Sequence, residues 1–531
     1  MMGLLLSTED SRALDLEAQR EWHFNVFGLI EAAGRLCAQA LQRGNPGLFE
    51  NQPVISVAAG TGNNGADAMI MLRHFILSGL VKASSSAIVV SRMPKSGEAA
   101  PWAELLRSLI KMKVAVLTWS VDTGETGGRP SAVCIETFAA SGIIIDGIAG
   151  TGISGPLRGA AQEMTSAINS LKKPKPLVVS VDVPSGISDE WKPGMPVIEA
   201  DITLAIEVQK YCLYTPAARP YAGNVIPVSG IFPDELCSSY KGAEILDWKH
   251  HRKRIPKIRP EAYKNKRGTV EIRAGSTGTT GAAIIAGRGA QAAGAGLVRL
   301  VVDSEIYPII ASRASGVMVS RADESVEKDS DNRFKPDAVL LGPGWGKTEN
   351  RRETFEKALS LEEAGIPLIL DADAIELAKD KVFHRNVILT PHPGELSVFT
   401  NLSREELLCR PLPVLKEFAR KSNVTILFKS HVIFIVSADG RVGILDGMLG
   451  GLASGGSGDL LAGFCAAIAA RMRREGGTFD AYNCAAAGAA LLIASGESLA
   501  ARFTDPLELA DAAANLAGEA WLLQKTDYIN E

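Results

Sequence analysis

The sequence predicts an α/β protein of two domains, each a mostly parallel sheet covered by helices. Three observations carry that prediction. Short apolar runs rich in Val and Ile alternate with amphipathic or alanine-rich segments along nearly the whole chain, as βα units do. The 531 residues exceed what one hydrophobic core normally organises. Glycine is abundant, at 52 residues, and much of it follows apolar runs, where α/β proteins place ligand loops.

Composition narrows the class. Hydrophobic residues make up 46% and charged residues 22%, an ordinary balance for a globular protein in water. A net charge of −4 gives no basis for a nucleic-acid partner. The seven cysteines are scattered without a C-x-x-C pair and read as reduced core residues of a cytoplasmic protein. The seven histidines lack metal-ligand spacing. No apolar run approaches the ~20 residues a membrane span needs. The opening MMGLLLSTEDSRALDLEAQ has no basic n-region, so no signal peptide is expected.

In the first half, residues 11–43 read as amphipathic helices, LIEAAGRLCAQAL the clearest. VISVAAG, Val54 to Gly60, is a short apolar strand, followed by the loop TGNNGAD and the helix AMIMLRHFILSG. SAIVV, AELLRSLIKMK and VAVLTW continue the alternation. GIIIDGIAGTGISGPLRG, a helix ending near Lys172 and PLVVSVDVPSG come next. This order implies a parallel sheet, with ligands bound beyond the carboxyl ends of its strands. Three of those ends carry polar, glycine-rich loops: Asn63 to Asp67, Asp146 with Gly150 to Pro156, and Asp182 with Ser185. Asn64, Asp146 and Ser185 offer oxygen ligands for a monovalent cation. Singly, the asparagines are also good turn residues and the aspartates good loop caps. The three loops together point to a site.

Asp247 to Arg267 is basic, with two prolines in IPKIRP, and reads as a solvated linker over residues 246–267 between domains 1–245 and 268–531. Alternation then resumes. VEIRAGS, LVRLVVD, DAVLLGPGWG, PLILDADAI and NVILTPHPGE are strands running into loops, with a small-residue helix TGAAIIAGRGAQAAGAG after the first. TILFKS and VIFIVSADGRVGIL follow and read as a hairpin around Asp439-Gly440. Two Ala-rich helices finish the chain.

The most informative stretch is GGLASGGSGDLLAGF, Gly450 to Phe464. Gly455, Gly456 and Gly458 form a flexible loop and Asp459 opens an apolar helix. Unpaired N–H groups at such a helix N-terminus suit a phosphate. A carboxylate there fits a base that takes the proton of a hydroxyl about to be phosphorylated. The plainer alternative is a glycine turn with Asp459 as N-cap. His392, between Pro391 and Pro393, reads either as a fixed loop residue or as a donor to phosphate or a carboxamide; Lys429 reads as a turn lysine or a nucleotide contact.

GTGNNGAD, IIIDGIAGTGISGPLRG and VSVDVPSG resemble the NAD(P)H-hydrate epimerase domain over about residues 5–235. The resemblance implies a Rossmann-like α/β/α sandwich. It implies that Asn63, Asn64, Gly65, Ala66 and Asp67, with Gly150, Thr151, Gly152, Ile153, Ser154, Gly155 and Pro156, contact the hydrated nucleotide. Asn64, Asp146 and Ser185 would hold potassium, and Asp182 would bind substrate and act as acid–base group, with Lys95 as a second catalytic candidate. The family's NNGGDG is NNGADA here, with Ala66 and Ala68, and Ala32 replaces its usual polar residue in the first helix motif.

GSTGTTGAA, LGPGWG, LDADAI, LTPHPGE, FKSHVI and GGSGDLLAG, in this order, resemble the ADP- or ATP-dependent NAD(P)H-hydrate dehydratase over about residues 258–528. That family implies a ribokinase-like α/β/α domain. By the same resemblance Ala282, Gly344, His392 and Asp459 contact the hydrated nicotinamide nucleotide, with Asp459 as base. Lys429, Ser430, His431, Val432, Ile433 and Gly458 contact the adenine nucleotide, although the family's Lys-Gly pair is Lys429-Ser430 here. The fused pair resembles the bifunctional NAD(P)H-hydrate repair enzymes. It implies hydrated NADH or NADPH and ADP or ATP as small-molecule partners, magnesium carried by the nucleotide, and a homo-oligomer, with neither nucleic acid nor membrane. Two competitors remain. One is a vitamin-precursor kinase, which GGSGD fits equally well; the other makes the first half a non-catalytic nucleotide- or protein-binding module.

Overall fold

The computed structural model describes residues 3–119, 121–122, 129–130, 132–323, 334–348, 350–384, 386–476, 478–499 and 503–522. It divides into two compact units, Met1–Ala243 and Glu244–Glu531.

The first unit is built on a seven-stranded parallel sheet. Its strands are β1 (Ile55–Ala59), β2 (Ser86–Val90), β3 (Ala115–Thr118), β4 (Ile143–Gly147), β5 (Leu177–Val181), β6 (Ile202–Ile206) and β7 (Asn224–Val228). They lie in the order 7-6-5-4-1-2-3. The central strands β1, β2 and β4 are buried along their whole length, so both faces are apolar and no in–out alternation marks them. Chain direction across the sheet reverses between β1 and β4, where Ile55 pairs with Ile143 and Ala59 with Gly147. Loops leaving two such strands splay apart and open a crevice.

The helix Asn63–Leu77 starts four residues after β1 and seals that crevice from below. Gly65 makes the close approach possible, because a Cβ there would stand 2.3 Å from the carbonyl oxygen of Gly60. Ala66 and Ala68 lie in the same helix and are fully buried, and neither has positive φ. The methyl groups that depart from the family motif therefore fill core space without backbone strain.

The strands of the second unit are β8 (Thr269–Arg273), β9 (Leu297–Val302), β10 (Met318–Arg321), β11 (Ala338–Leu341), β12 (Leu368–Leu370), β13 (Val387–Leu389), β14 (Thr425–Phe428), β15 (Val432–Ser437) and β16 (Val442–Asp446). Their order is 16-15-14-13-12-11-8-9-10. Pairing is parallel from β10 to β14 and antiparallel for β14–β15 and β15–β16, the expected hairpin around Gly440. The strand order again reverses, between β8 and β11. One face is covered by the helices Thr280–Ala292, Ser457–Gly476, Ala481–Ser498 and Pro506–Trp521.

The segment 246–267 is not a solvated linker. It carries a short helix, Trp248–His251, and packs within the second unit. The Trp248 ring meets Trp521 edge to face at 5.4 Å, and Ile255 and Ile258 are buried. Trp521 Nε1 donates to the Arg252 carbonyl at 2.9 Å, and the buried Arg471 guanidinium donates to the Pro256 carbonyl at 2.6 Å. Trp248, Ile255 and Ile258 give the segment an apolar side that its many lysines and arginines mask in the sequence.

Candidate active sites

In the first unit a cavity of about 490 Å³ opens at the strand reversal. Asn63, Asn64 and Asp67 line it from the loop and helix after β1, Gly150 to Ile153 from the loop after β4, and Asp182 from the end of β5. Three separately read loops thus converge. Ser154, Gly155 and Pro156 face a neighbouring depression with Thr61 and Ser91, while Gly65 and Ala66 lie buried beneath the cavity. Lys95 is not brought to the cavity. It is exposed on the loop after β2, where its backbone N–H donates to Glu98 at 2.9 Å.

Asp146 is fully buried, and among the described residues neutral groups bond it: Ser180 Oγ at 2.7 Å, Ser185 Oγ at 2.6 Å, and the backbone N–H groups of Ser185 and Ile148. Burial pushes its carboxyl up, against those hydrogen bonds. Beside the glycine loop, Asn64 packs on Gly150, and its buried Nδ2 has no partner among the described residues. A buried carboxylate without a bonded cation, near an amide and a serine hydroxyl, is a set of hard oxygens that fits an alkali cation.

Asp182 sits in left-handed backbone, φ +66°, a conformation that costs a non-glycine residue about 1 kcal/mol or more. Its Oδ1 accepts from the Lys210 ammonium and from Ile206 N–H. Lys210 is only 3% exposed and lines the same cavity. Asp15, from the helix Thr8–Arg20, faces it as well. Arg12 of that helix donates to the carbonyls of Thr151 and Ile153, tying the helix to the substrate loop. Burial pushes the Asp67 carboxyl well up, the charges of Asp182 and Asp15 adding to it, and its buried Oδ1 has no partner among the described residues. Sequence reading missed Asp15 and Lys210. Neither lies in a glycine motif; the signal available was one lysine following an apolar strand at EVQK.

In the second unit, Asp371 ends β12 and Lys429 follows β14. Lys429 Nζ lies 2.5 Å from Asp371 Oδ1, which also accepts from Thr390 Oγ1 at 2.6 Å. A Cβ at Gly458 would stand 3.5 Å from the same ammonium, so Lys429 abuts the glycine loop. Asp459 lies in the first turn of the helix Ser457–Gly476. Burial pushes its carboxyl up to about 6, with Asp371 adding and Lys429 opposing. Against a burial that favours the neutral amine, Asp371, Glu395 and Asp459 hold the Lys429 ammonium protonated beyond its ordinary range.

Gly344, at φ +52°, follows β11 and touches Ala282, whose Cβ would be 2.8 Å from an added Cβ at 344. His392 caps the helix Pro393–Thr400: its Nδ1 accepts from the N–H groups of Gly394 and Glu395 at 2.9 and 3.2 Å. That leaves the ring proton on Nε2, which faces Glu395 Oε1 at 3.3 Å, so the role seen in the geometry is the cap. Of the segment after Lys429, His431 is exposed, whereas Val432 and Ile433 are buried strand residues able to offer only backbone. Ser430 Oγ is turned onto the backbone of Val432. Gly455 is exposed and Gly456 takes φ +95°.

Two parallel-sheet units with polar loops at both strand reversals, the second joining a lysine and a raised carboxylate to a glycine loop, define a two-domain α/β enzyme. Residues 270–516 match the family model described as NAD(P)H-hydrate dehydratase, and residues 27–212 that of the YjeF-related protein N-terminus. The bifunctional NAD(P)H-hydrate repair enzyme of Moorella thermoacetica is 26% identical over 505 residues, covering 91% of this chain and 92% of its own. That of Escherichia coli is 28% identical over 505 residues, covering 93% of this chain and 89% of its own. Among solved structures, the ADP/ATP-dependent NAD(P)H-hydrate dehydratase of Bacillus subtilis, co-crystallised with ATP and Mg²⁺, is 26% identical. It aligns with 52% of this chain and 99% of its own at a TM-score of 0.46. The chain belongs to the family of bifunctional NAD(P)H-hydrate repair enzymes.

Proposed function

We propose that this enzyme returns hydrated NADH and NADPH to NADH and NADPH in two steps, one per unit. The observation that carries the reading is Asp459, a carboxyl raised to about 6 at the head of a glycine-loop helix and flanked by Lys429.

The second unit performs dehydration. Asp459 takes the proton of the hydroxyl on ring carbon six as that oxygen receives a phosphoryl group from ADP or ATP. Phosphate leaves far more readily than hydroxide. The ring nitrogen's electron pair expels it, loss of a proton from the neighbouring carbon restores the double bond, and the nucleotide departs one phosphate shorter. Lys429 and the N–H groups of Gly455, Gly456 and Gly458 stabilise charge on the transferring group. His392 Nε2, Gly344 and Ala282 bind the nicotinamide side. Magnesium carried by the nucleotide would supply charge screening of its phosphates.

The first unit interconverts the two hydrate epimers, of which dehydration uses the S form. Asp182 removes the hydroxyl proton, the bond from carbon six to the ring nitrogen opens with its electron pair on nitrogen, and an aldehyde forms. Closure on the other face retakes the proton from Asp182, so atoms and charge balance. Asn63, Asn64, Asp67 and the loop 150–153 hold the substrate. Asn64 through its amide oxygen, Asp146 and Ser185 would hold potassium, which would offset the buried charge of Asp146. The reading includes a cytoplasmic homo-oligomer with no nucleic-acid partner. No described helix is long and apolar enough to cross a membrane.

The test is direct. Purified protein is mixed with NADH hydrate, magnesium and ADP or ATP, and NADH absorbance is followed. Absorbance should return only when nucleotide is present. Phosphorylation of a thiazole alcohol with the hydrate left untouched would instead favour the vitamin-precursor kinase.

A further inference from the structure

The cavity of the first unit holds a lysine that no motif accounts for. Lys210 follows Gln209 in a two-residue strand and is 3% exposed. Burying an ammonium costs several kcal/mol unless it is paired and hydrogen-bonded. A methionine of similar volume would fill that wall at far lower cost.

Its bonds form a closed clamp. The ammonium donates to Asp182 Oδ1 and, at 2.8 Å, to the carbonyl of Ile206. The N–H of Ile206 in turn donates to the same Oδ1 at 3.3 Å. Both bonds fall on one carboxylate oxygen, and Oδ2 accepts none among the described residues. Asp182 itself is held in left-handed backbone. Two costly features, a strained aspartate and a buried cation, are spent on orienting one carboxylate at a cavity wall.

Resting on the reading of Asp182 as the acid–base group, we propose that Lys210 is its positioning residue. The clamp ties down Oδ1 and leaves Oδ2 to meet the hydroxyl of the hydrate. The ammonium also sets a buried positive charge in a strongly acidic cavity. Asp15 faces it from the helix Thr8–Arg20, Asp67 from the helix Asn63–Leu77, and Glu207 from the turn before Lys210. The neighbouring thiols of Cys37 and Cys212 are held neutral by burial. Lys210 is thus a cation placed among carboxylates at the wall that Asp182 shares.

The experiment uses the full chain and the purified R hydrate of NADH without nucleotide, so that only epimerisation occurs, read by chromatographic separation of the two forms. Lys210→Met should lower kcat by on the order of 10²-fold with KM nearly unchanged. The acid limb of its kcat/KM profile should move up, because removing a cation from a cavity of carboxylates favours their protonated forms. Lys210→Arg should recover most of kcat and keep the acid limb in place. Melting and dehydration of the S hydrate, monitored in the same samples, should stay at wild-type levels. Wild-type kcat and an unmoved acid limb in the methionine variant would overturn the proposal. So would equal losses in both variants accompanied by a lowered melting temperature, which mark a purely structural lysine. Should the methionine variant fail to fold, Lys210→Gln takes its place with the same criteria. A wild-type chain that leaves the R hydrate unchanged overturns the underlying reading of Asp182, and the Lys210 assignment with it.

Discussion

The ammonium of Lys429 lies 2.5 Å from the carboxylate of Asp371, although 58 residues separate them in the chain. The parallel sheet does this: β12 and β14 end on the same edge, two strands apart, and deliver both residues beside the glycine loop. A cation anchored by Asp371 keeps its charge while facing Gly458 and Asp459. That arrangement is what a phosphoryl-transfer site with a neighbouring base requires.

Asp459→Asn should lower dehydration of the S hydrate by about 10²–10⁴-fold, the usual size of a lost general base. Nucleotide protection against thermal melting should persist. Epimerisation should be unchanged, since that chemistry belongs to the other unit. Near-normal dehydration would return Asp459 to a helix-capping role.

The pH dependence has a definite sign. Asp459 is raised to about 6, so the base form is lost as pH falls through 6, and the dehydration rate should fall with it. The same shift makes ionised Asp459 destabilising above pH 6, a cost that disappears toward the ordinary value of 3.8. Asp459→Asn should therefore melt at a higher temperature than wild type at pH 8, with the gap closing by about pH 4. Equal melting at both pH values would contradict the raised carboxyl.

Ala66→Gly, which restores the family motif, should leave epimerisation unchanged. It should lower stability by about 1 kcal/mol, the helix cost of glycine over alanine. Ala66 is helical and wholly buried, so its methyl group does not meet the substrate. A tenfold gain in epimerisation would show that the alanine obstructs the site, and would favour a binding role for the natural unit.

The second unit should fold from Glu244 but not from Gly268. Removing residues 244–267 strips away Trp248, Ile255 and Ile258, each worth roughly 1.5–3 kcal/mol of burial. It also takes the Pro256 carbonyl from Arg471 and the Arg252 carbonyl from Trp521. Cooperative melting of the shorter fragment at the temperature of the longer one would contradict this.

Much of the fold was legible because strand-to-loop transitions carry glycine, asparagine and aspartate at fixed offsets. Asn64, Asp146 and Asp182 were readable as parts of one site for that reason, and Asp459 because glycines precede it on an apolar helix. Residues whose roles depend on three-dimensional closure were not. Lys210 reaches Asp182 from a two-residue strand with no motif, and Asp15 reaches the cavity from a helix that reads only as amphipathic. Lys95 entered through the family resemblance alone, and its loop leaves β2, one strand beyond the reversal. Val432 and Ile433 belonged to a motif by sequence, yet the strand they form turns their side chains into the core.

The most direct test of the two-step account is the extent of repair of an equilibrated R and S mixture of NADH hydrate, with ADP or ATP in excess. Wild-type protein should convert the whole mixture to NADH. Asp182→Asn should stop once the S share is consumed, and adding wild-type protein should then finish the conversion. Wild-type protein that stalls at the S share, or that regenerates NADH without any nucleotide, would contradict the account.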